Sequence, residues 1–119
     1  MPIFQLDPYE PELFPPPHLA EDDGPSAIGG DLSQLRLLAA YRQGFFPWYG
    51  DHSPIMWWNP DPRFVLFPDH LKVSKSMRPY FNQQKYYVRF DTDFTTVMNH
   101  CRETPRNGQD GSWINDDIT

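Results

Sequence analysis

At 119 residues and 14.0 kDa, the chain can build one domain with a real core, or one small domain and part of another. A net charge of −6 and a sequence pI near 4.9 argue, on average, against a nucleic-acid partner. The single cysteine, Cys101, excludes an internal disulfide and agrees with a reducing compartment. No apolar run reaches the ~18 residues of a membrane span and no basic-then-apolar leader opens the chain, so a cytoplasmic protein without a membrane partner is the expectation.

Residues 1–27 read as an extended arm, because Pro8, Pro11, Pro15, Pro16, Pro17 and Pro25 preclude a long helix. Phe4, Leu6, Leu13 and Phe14 are available to pin it to a core, and Glu21, Asp22 and Asp23 read as a solvated loop. Gly29-Gly30-Asp31 ends the arm. Asp31 is a candidate N-cap with Gln34 three positions on, and Ser33 competes for the role. Good helix formers follow to Gln43, with Leu37, Leu38, Ala40 and Tyr41 on one broad face. Gly44 suits the left-handed residue past the helix end.

Phe45 to Pro62 reads as a turn-rich loop with a short strand at Ile55–Trp58. Trp57, Phe45 and Phe46 are expected in the core. Trp48, directly after Pro47 at the helix exit, is expected to line a pocket. Pro60 and Pro62 set a rigid turn around Asp61, with the Arg63 fork available to Asp61 or to a carbonyl. Arg63–Phe67 then reads as a strand stopped by Pro68, and Ser74 to Gln84 as a helix that Pro79 starts or kinks. Tyr86–Phe90 reads as a second strand. A helix capped by Asp93 follows to about Arg102, with Phe94, Val97, Met98 and Cys101 at helical spacing. A polar loop precedes Trp113-Ile114, an isolated apolar pair that suits a lid or a wall. The order strand, helix, strand, helix resembles the opening of an α/β layer whose remainder is absent.

Charge is unevenly spread. Residues 63–106 carry eight basic side chains against four acidic ones, a local net of +4, while the rest of the chain is −10. Lys72, Lys75, Arg78, Lys85 and Arg89 follow Asp69 with no acid before Asp91. Such a run is either a solvated face or a stripe at phosphate spacing. His18, His52, His70 and His100 are scattered without the partners a zinc site needs, so no metal is expected. No phosphate-cradling glycine loop and no nucleophile–base constellation is present. Asp91/Asp93 and Asp116/Asp117 read as caps and solvated turns.

The motifs GGDLS at 29–33, GFFPW at 44–48, MWWNPDPR at 56–63 and GSWI at 111–114 resemble those of the leucyl/phenylalanyl-tRNA–protein transferases. The resemblance runs from Ile28 across nearly the whole remaining chain. It implies an α+β fold: a small N-terminal α+β domain over residues 1–62, then the opening strand-helix-strand-helix of an acyl-CoA N-acyltransferase-like domain over 63–119. It also implies transfer of Leu, Phe or Met from aminoacyl-tRNA to proteins with N-terminal Lys or Arg, which marks them for N-degron proteolysis. No cofactor is implied. Trp48 and Trp113 match tryptophans that shape the family's aminoacyl-adenosine site, and Tyr41 matches a tyrosine near it. Lys75 and Arg78 match its tRNA-binding cluster, which Lys72 and Lys85 would extend. Pro79, Asn82 and Gln83 depart from that cluster, where the family often has further Lys or Arg. The family's catalytic Asp and Gln would lie beyond Thr119, so the expectation is a fragment inactive alone, with no catalytic residue in this chain. The alternative is a non-catalytic, aromatic-rich module that binds a peptide or single-stranded nucleic acid.

Overall fold

A computed structural model of the chain describes residues 3–19, 24–109 and 111–119. The Glu21–Asp23 loop lies outside the described residues. The organised part is a four-stranded mixed sheet and one helix. The strands are β1 (Phe4–Leu6), β2 (Ala27–Gly29), β3 (Phe46–Pro47) and β4 (Met56–Trp58), in the order β1-β2-β4-β3. β1 pairs parallel to β2, with Phe4 opposite Ala27. β4 is antiparallel to both β2 and β3, so Trp57 lies opposite Ala27 on one side and Pro47 on the other. The proline-rich arm therefore contributes an edge strand, which its sequence did not signal. Pro8 ends the run after three residues, and a three-residue parallel pairing has no hairpin to announce it.

The helix α1 (Gln34–Arg42) begins where Ser33 accepts a hydrogen bond from the Arg36 backbone N–H. Ser33 wins the cap because the Asp31 carboxylate instead accepts from the Ser33 N–H, closing the turn before the helix. At the other end Gly44 takes φ +85°, the left-handed conformation that glycine adopts without a Cβ clash. Two exposed carbonyls there find donors from the MWWNPDPR segment. Asn59 Nδ2 donates to Gln43 O at 3.2 Å and Arg63 Nη1 donates to Gly44 O at 2.7 Å. Arg63 thus chose a carbonyl over Asp61, and its guanidinium also lies 5.1 Å over the Phe46 ring.

The buried cluster joins Leu6, Phe14, Ala27, Ala39, Ala40, Phe45 and Trp57. Phe14 stacks on Phe45 at 4.9 Å and meets Trp57 edge-on at 5.2 Å, so the arm is pinned by an aromatic trio. Trp57 is 0% exposed and its indole N–H donates to Gly29 O at 2.9 Å, which satisfies the one polar atom it buries. Leu13, next to Phe14, stays exposed. α1 presents Arg36, Ala39 and Ala40 inward, a rotation from the expected Leu37, Leu38, Ala40 and Tyr41 face. Small alanines let the helix approach the core closely, and Leu38 and Tyr41 are left exposed.

Beyond Pro62 the order is looser. Arg63–Phe67 and Tyr86–Phe90 form no strand, and every residue from Pro62 to Val97 is exposed. Both stretches have strand composition, but among the described residues neither has a neighbour to share ladder hydrogen bonds with. The expected Ser74–Gln84 helix shortens to α2 (Arg78–Asn82). Pro79 sits in its first turn and so starts it, after a turn in which Met77 N and Arg78 N both donate to Ser74 O. α3 (Phe94–Glu103) forms as expected, although the Asp93 side chain makes no capping bond. Among the described residues the chain is therefore mixed α+β, with four strands and three α-helices.

Candidate functional site

A cavity of about 550 Å³ opens where the end of α1, strand β3, helix α3 and the final residues meet. That volume falls within the roughly 300–1,000 Å³ of small-molecule sites. Leu37 and Tyr41 reach it from α1 because they sit one turn apart on one flank of the helix, Leu37 also packing against the core and Tyr41 exposed. Phe46 and Pro47 enter from β3, Phe94 and Met98 from α3 at i, i+4 spacing, and Trp113 from the loop after α3. The walls are mostly apolar and aromatic, and the polar groups that line them belong to Tyr41, Asp117 and Thr119. Such a site binds a flat or apolar group by stacking and burial, with few directional bonds.

The structure brings two of the three expected adenosine-site residues, Tyr41 and Trp113, to this one cavity. Trp48 directly follows the wall residue Pro47 but does not itself line the cavity. Its ring is 50% exposed and packs against Trp58 at 5.6 Å. Its backbone is held on both sides, since Trp48 N donates to Met56 O at 3.0 Å and Trp58 Nε1 donates to Trp48 O at 2.7 Å. The half-exposed indole is thus presented from a fixed mount. Phe46, expected in the core, is half-buried and serves as wall instead, whereas Phe45 and Trp57 are core as expected. Sequence reading passed over Asp117, taken as a solvated turn. Nothing local marks it, because its partner Tyr49 is 68 positions away.

Tyr49 is 5% exposed, and its hydroxyl donates to Asp117 Oδ2 at 3.3 Å. Burial first, and the Asp117 charge second, push its phenol above the ordinary value, so the neutral donor form persists through physiological pH. Asp116 is held separately, by Arg102 Nη1 of α3 at 2.8 Å.

The expected phosphate contacts lie apart from this cavity's lining. Lys72 is in irregular chain, Lys75 lies in the turn before α2, and Arg78 opens α2, so Lys75 and Arg78 do not share a helix. Lys85 Nζ sits 5.2 Å from the Tyr80 ring and 5.8 Å from Tyr86, whose rings stack at 5.7 Å. All four cations are exposed, and among the described residues none is paired with a carboxylate. No helix of the described residues is long and apolar enough to cross a membrane.

Two family models match the chain. One is described as the leucyl/phenylalanyl-tRNA protein transferase N-terminal domain and covers residues 30–61. The other is described as leucyl/phenylalanyl-tRNA protein transferase and covers residues 65–119. A curated leucyl/phenylalanyl-tRNA–protein transferase of Myxococcus xanthus is 51% identical over 118 residues, which is 99% of this chain and 50% of that protein. One of Solidesulfovibrio magneticus is also 51% identical over 118 residues, covering 99% of this chain and 47% of its own length. A third, of Syntrophobacter fumaroxidans, is 52% identical over 114 residues, covering 96% and 48%. The chain thus spans about half the length of the curated relatives it matches.

Proposed function

The chain belongs to the leucyl/phenylalanyl-tRNA–protein transferase family, and from that membership we propose that it forms the aminoacyl-adenosine end of an aminoacyltransferase site. The reaction moves Leu, Phe or Met from aminoacyl-tRNA to the α-amino group of proteins that begin with Lys or Arg. In the cytoplasm the product enters N-degron proteolysis. The observation that carries the reading is the cavity that gathers Tyr41 and Trp113, with Trp48 on the adjoining strand end.

The aminoacyl ester arrives already activated. What the protein must add is orientation of the ester, a hydrogen bond to the incoming amine, and stabilisation of the developing oxyanion. Stacking of the terminal adenine on indole and phenol rings supplies orientation. Lys72, Lys75, Arg78 and Lys85 supply phosphate contacts. The cavity's polar groups do not form a catalytic constellation, so the chain by itself is expected to bind this end of the tRNA without transferring its cargo. Residues 63–119 are assigned to the opening of an acyl-CoA N-acyltransferase-like domain, separate from residues 1–62. In that arrangement 63–67 and 86–90 become strands once neighbours complete their ladders.

The test is transfer of labelled Leu or Phe from charged tRNA to a Lys- or Arg-starting protein. It is run with this chain alone and with the second half of the Myxococcus xanthus relative added. Transfer in the supplemented sample is expected. No transfer there, together with tight binding of a peptide by the chain alone, would replace the enzyme reading with that of a binding module.

A further inference from the structure

Trp48 and Trp113 are 65 positions apart, and no strand or helix holds the segment that carries Trp113. Residues 111–119 contain a single turn, closed by Ile118 N donating to Asn115 O at 3.1 Å. Something must hold this segment against the sheet if Trp113 is to be a wall. Ile114 at 8% exposure and Asn115 at 9% provide a buried footing. The Arg102–Asp116 bond adds little fixation, because the Asp116 carboxylate is almost fully exposed. Among the described residues, a side-chain hydrogen bond from Tyr49 to Asp117 joins this segment to the sheet side, with the buried Asn115 side chain also beside the Tyr49 hydroxyl. Tyr49 is the residue after Trp48, and Asp117 itself lines the cavity.

We propose that the Tyr49 hydroxyl and Asp117 form a positioning tether that sets the Trp113 loop against the mount of Trp48, and so governs how well the cavity takes an aminoacyl-adenosine. The inference rests on the aminoacyl-adenosine reading above for its ligand, but not for the tether. The bond is a modest one at 3.3 Å to an exposed carboxylate, but its donor comes from a ring buried in the body of the fold. Its loss frees the segment while leaving the ring, and hence the packing, in place.

The experiment uses the full chain with Tyr49→Phe, Asp117→Asn, Asp117→Ala and the Tyr49→Phe/Asp117→Ala double variant. Hydrogen exchange is followed at residues 111–119 without ligand. Binding of 3′-phenylalanylamido-3′-deoxyadenosine, which cannot transfer its amino acid, is followed by tryptophan fluorescence. Tyr49→Phe is expected to speed exchange in 111–119 selectively and to weaken the analogue about fivefold, the equivalent of one modest hydrogen bond. Asp117→Asn keeps an acceptor oxygen, so its exchange in 111–119 should stay near that of the parent chain. Exchange in 111–119 should be no faster in the double variant than in Tyr49→Phe alone. Unchanged exchange in Tyr49→Phe overturns the tether, whatever the analogue does. Faster exchange with unaltered analogue affinity overturns its positioning role. If the parent chain itself ignores the analogue while Tyr49→Phe still loosens 111–119, the tether stands and the adenosine reading falls.

Discussion

Trp48 and Trp57 stand nine positions apart in one aromatic run, and their surroundings give them opposite roles. Trp57 is sealed beneath Phe14 and spends its N–H on Gly29 O. Trp57→Ala is expected to cost about 3–5 kcal/mol in urea unfolding, the range for emptying a large aromatic site. Trp48→Ala should leave the melting curve nearly unchanged, since the bonds that hold this position use its backbone. It should weaken the phenylalanylamido-adenosine analogue severalfold, and loss of cooperative melting in this variant would return Trp48 to the core. Asp31 makes a residue-level prediction about acid. Hydrogen bonds from Ser33, with a smaller contribution from Arg36, hold its carboxyl below the ordinary range. A group depressed on folding adds stability that is complete above its unfolded value of about 3.9 and is lost as pH falls through the folded value. The midpoint of melting should therefore decline below about pH 4, and more shallowly in Asp31→Asn. Equal slopes in the two chains would remove Asp31 from the account.

At the scale of elements, helix α1 is held by its ends more than by its apolar face. At its start Arg36 is 0% exposed, and its Nη2 donates to Asp7 O at 2.7 Å, fastening the arm after β1. Its Nε lies 3.5 Å from Asp31 Oδ1, yet neither Nε nor Nη1 has a hydrogen-bond partner. Burying a guanidinium so incompletely satisfied is costly, and its aliphatic stem does much of the packing. Arg36→Ala should lose about 2–4 kcal/mol on denaturant unfolding, whereas Arg36→Met, which refills the stem volume without the charge, should lose clearly less. A methionine variant as unstable as the alanine one would show that the Asp7 bond dominates. Gly30 lies against the same guanidinium: a Cβ there would come within 2.9 Å of Arg36 Nε, and its φ is +74°. Glycine at 30 is thus set by both the backbone and the arginine.

Across the whole molecule, order is concentrated in the sheet, α1 and the elements that dock on them. The radius of gyration is 17.7 Å, against roughly 13–14 Å for a compact chain of this length. Phe64, Val65, Leu66, Phe67, Tyr87 and Phe90 are all exposed in the segment that has no ladder. Apolar surface on this scale favours self-association at high concentration. The same segment carries the positive charge that the average of −6 conceals. Lys75→Ala with Arg78→Ala should weaken tRNA binding and lower the slope of log affinity against log salt by about 1–2, one unit or slightly less per lost phosphate contact. An unchanged slope would make these cations a solvated face.

Sequence alone determined what depends on neighbours along the chain. Gly44 ends α1 because a positive φ is a local demand, and the start is narrowed to Asp31 or Ser33, between which the turn then chooses Ser33. Pro79 is bound to start or kink a helix because its ring lacks an N–H, and the structure has it in the first turn of α2. The clustered motifs were legible for the same reason, and they led to the family. Tertiary structure alone decided what depends on partners far along the chain. It paired β1 with β2, turned Arg36 rather than Leu38 inward, withheld a ladder from 63–67 and 86–90, and joined Tyr49 to Asp117 beside the cavity. A strand is completed only by its neighbour, and a pocket only by the surfaces that meet around it. Residue order encodes both, yet no local window displays either.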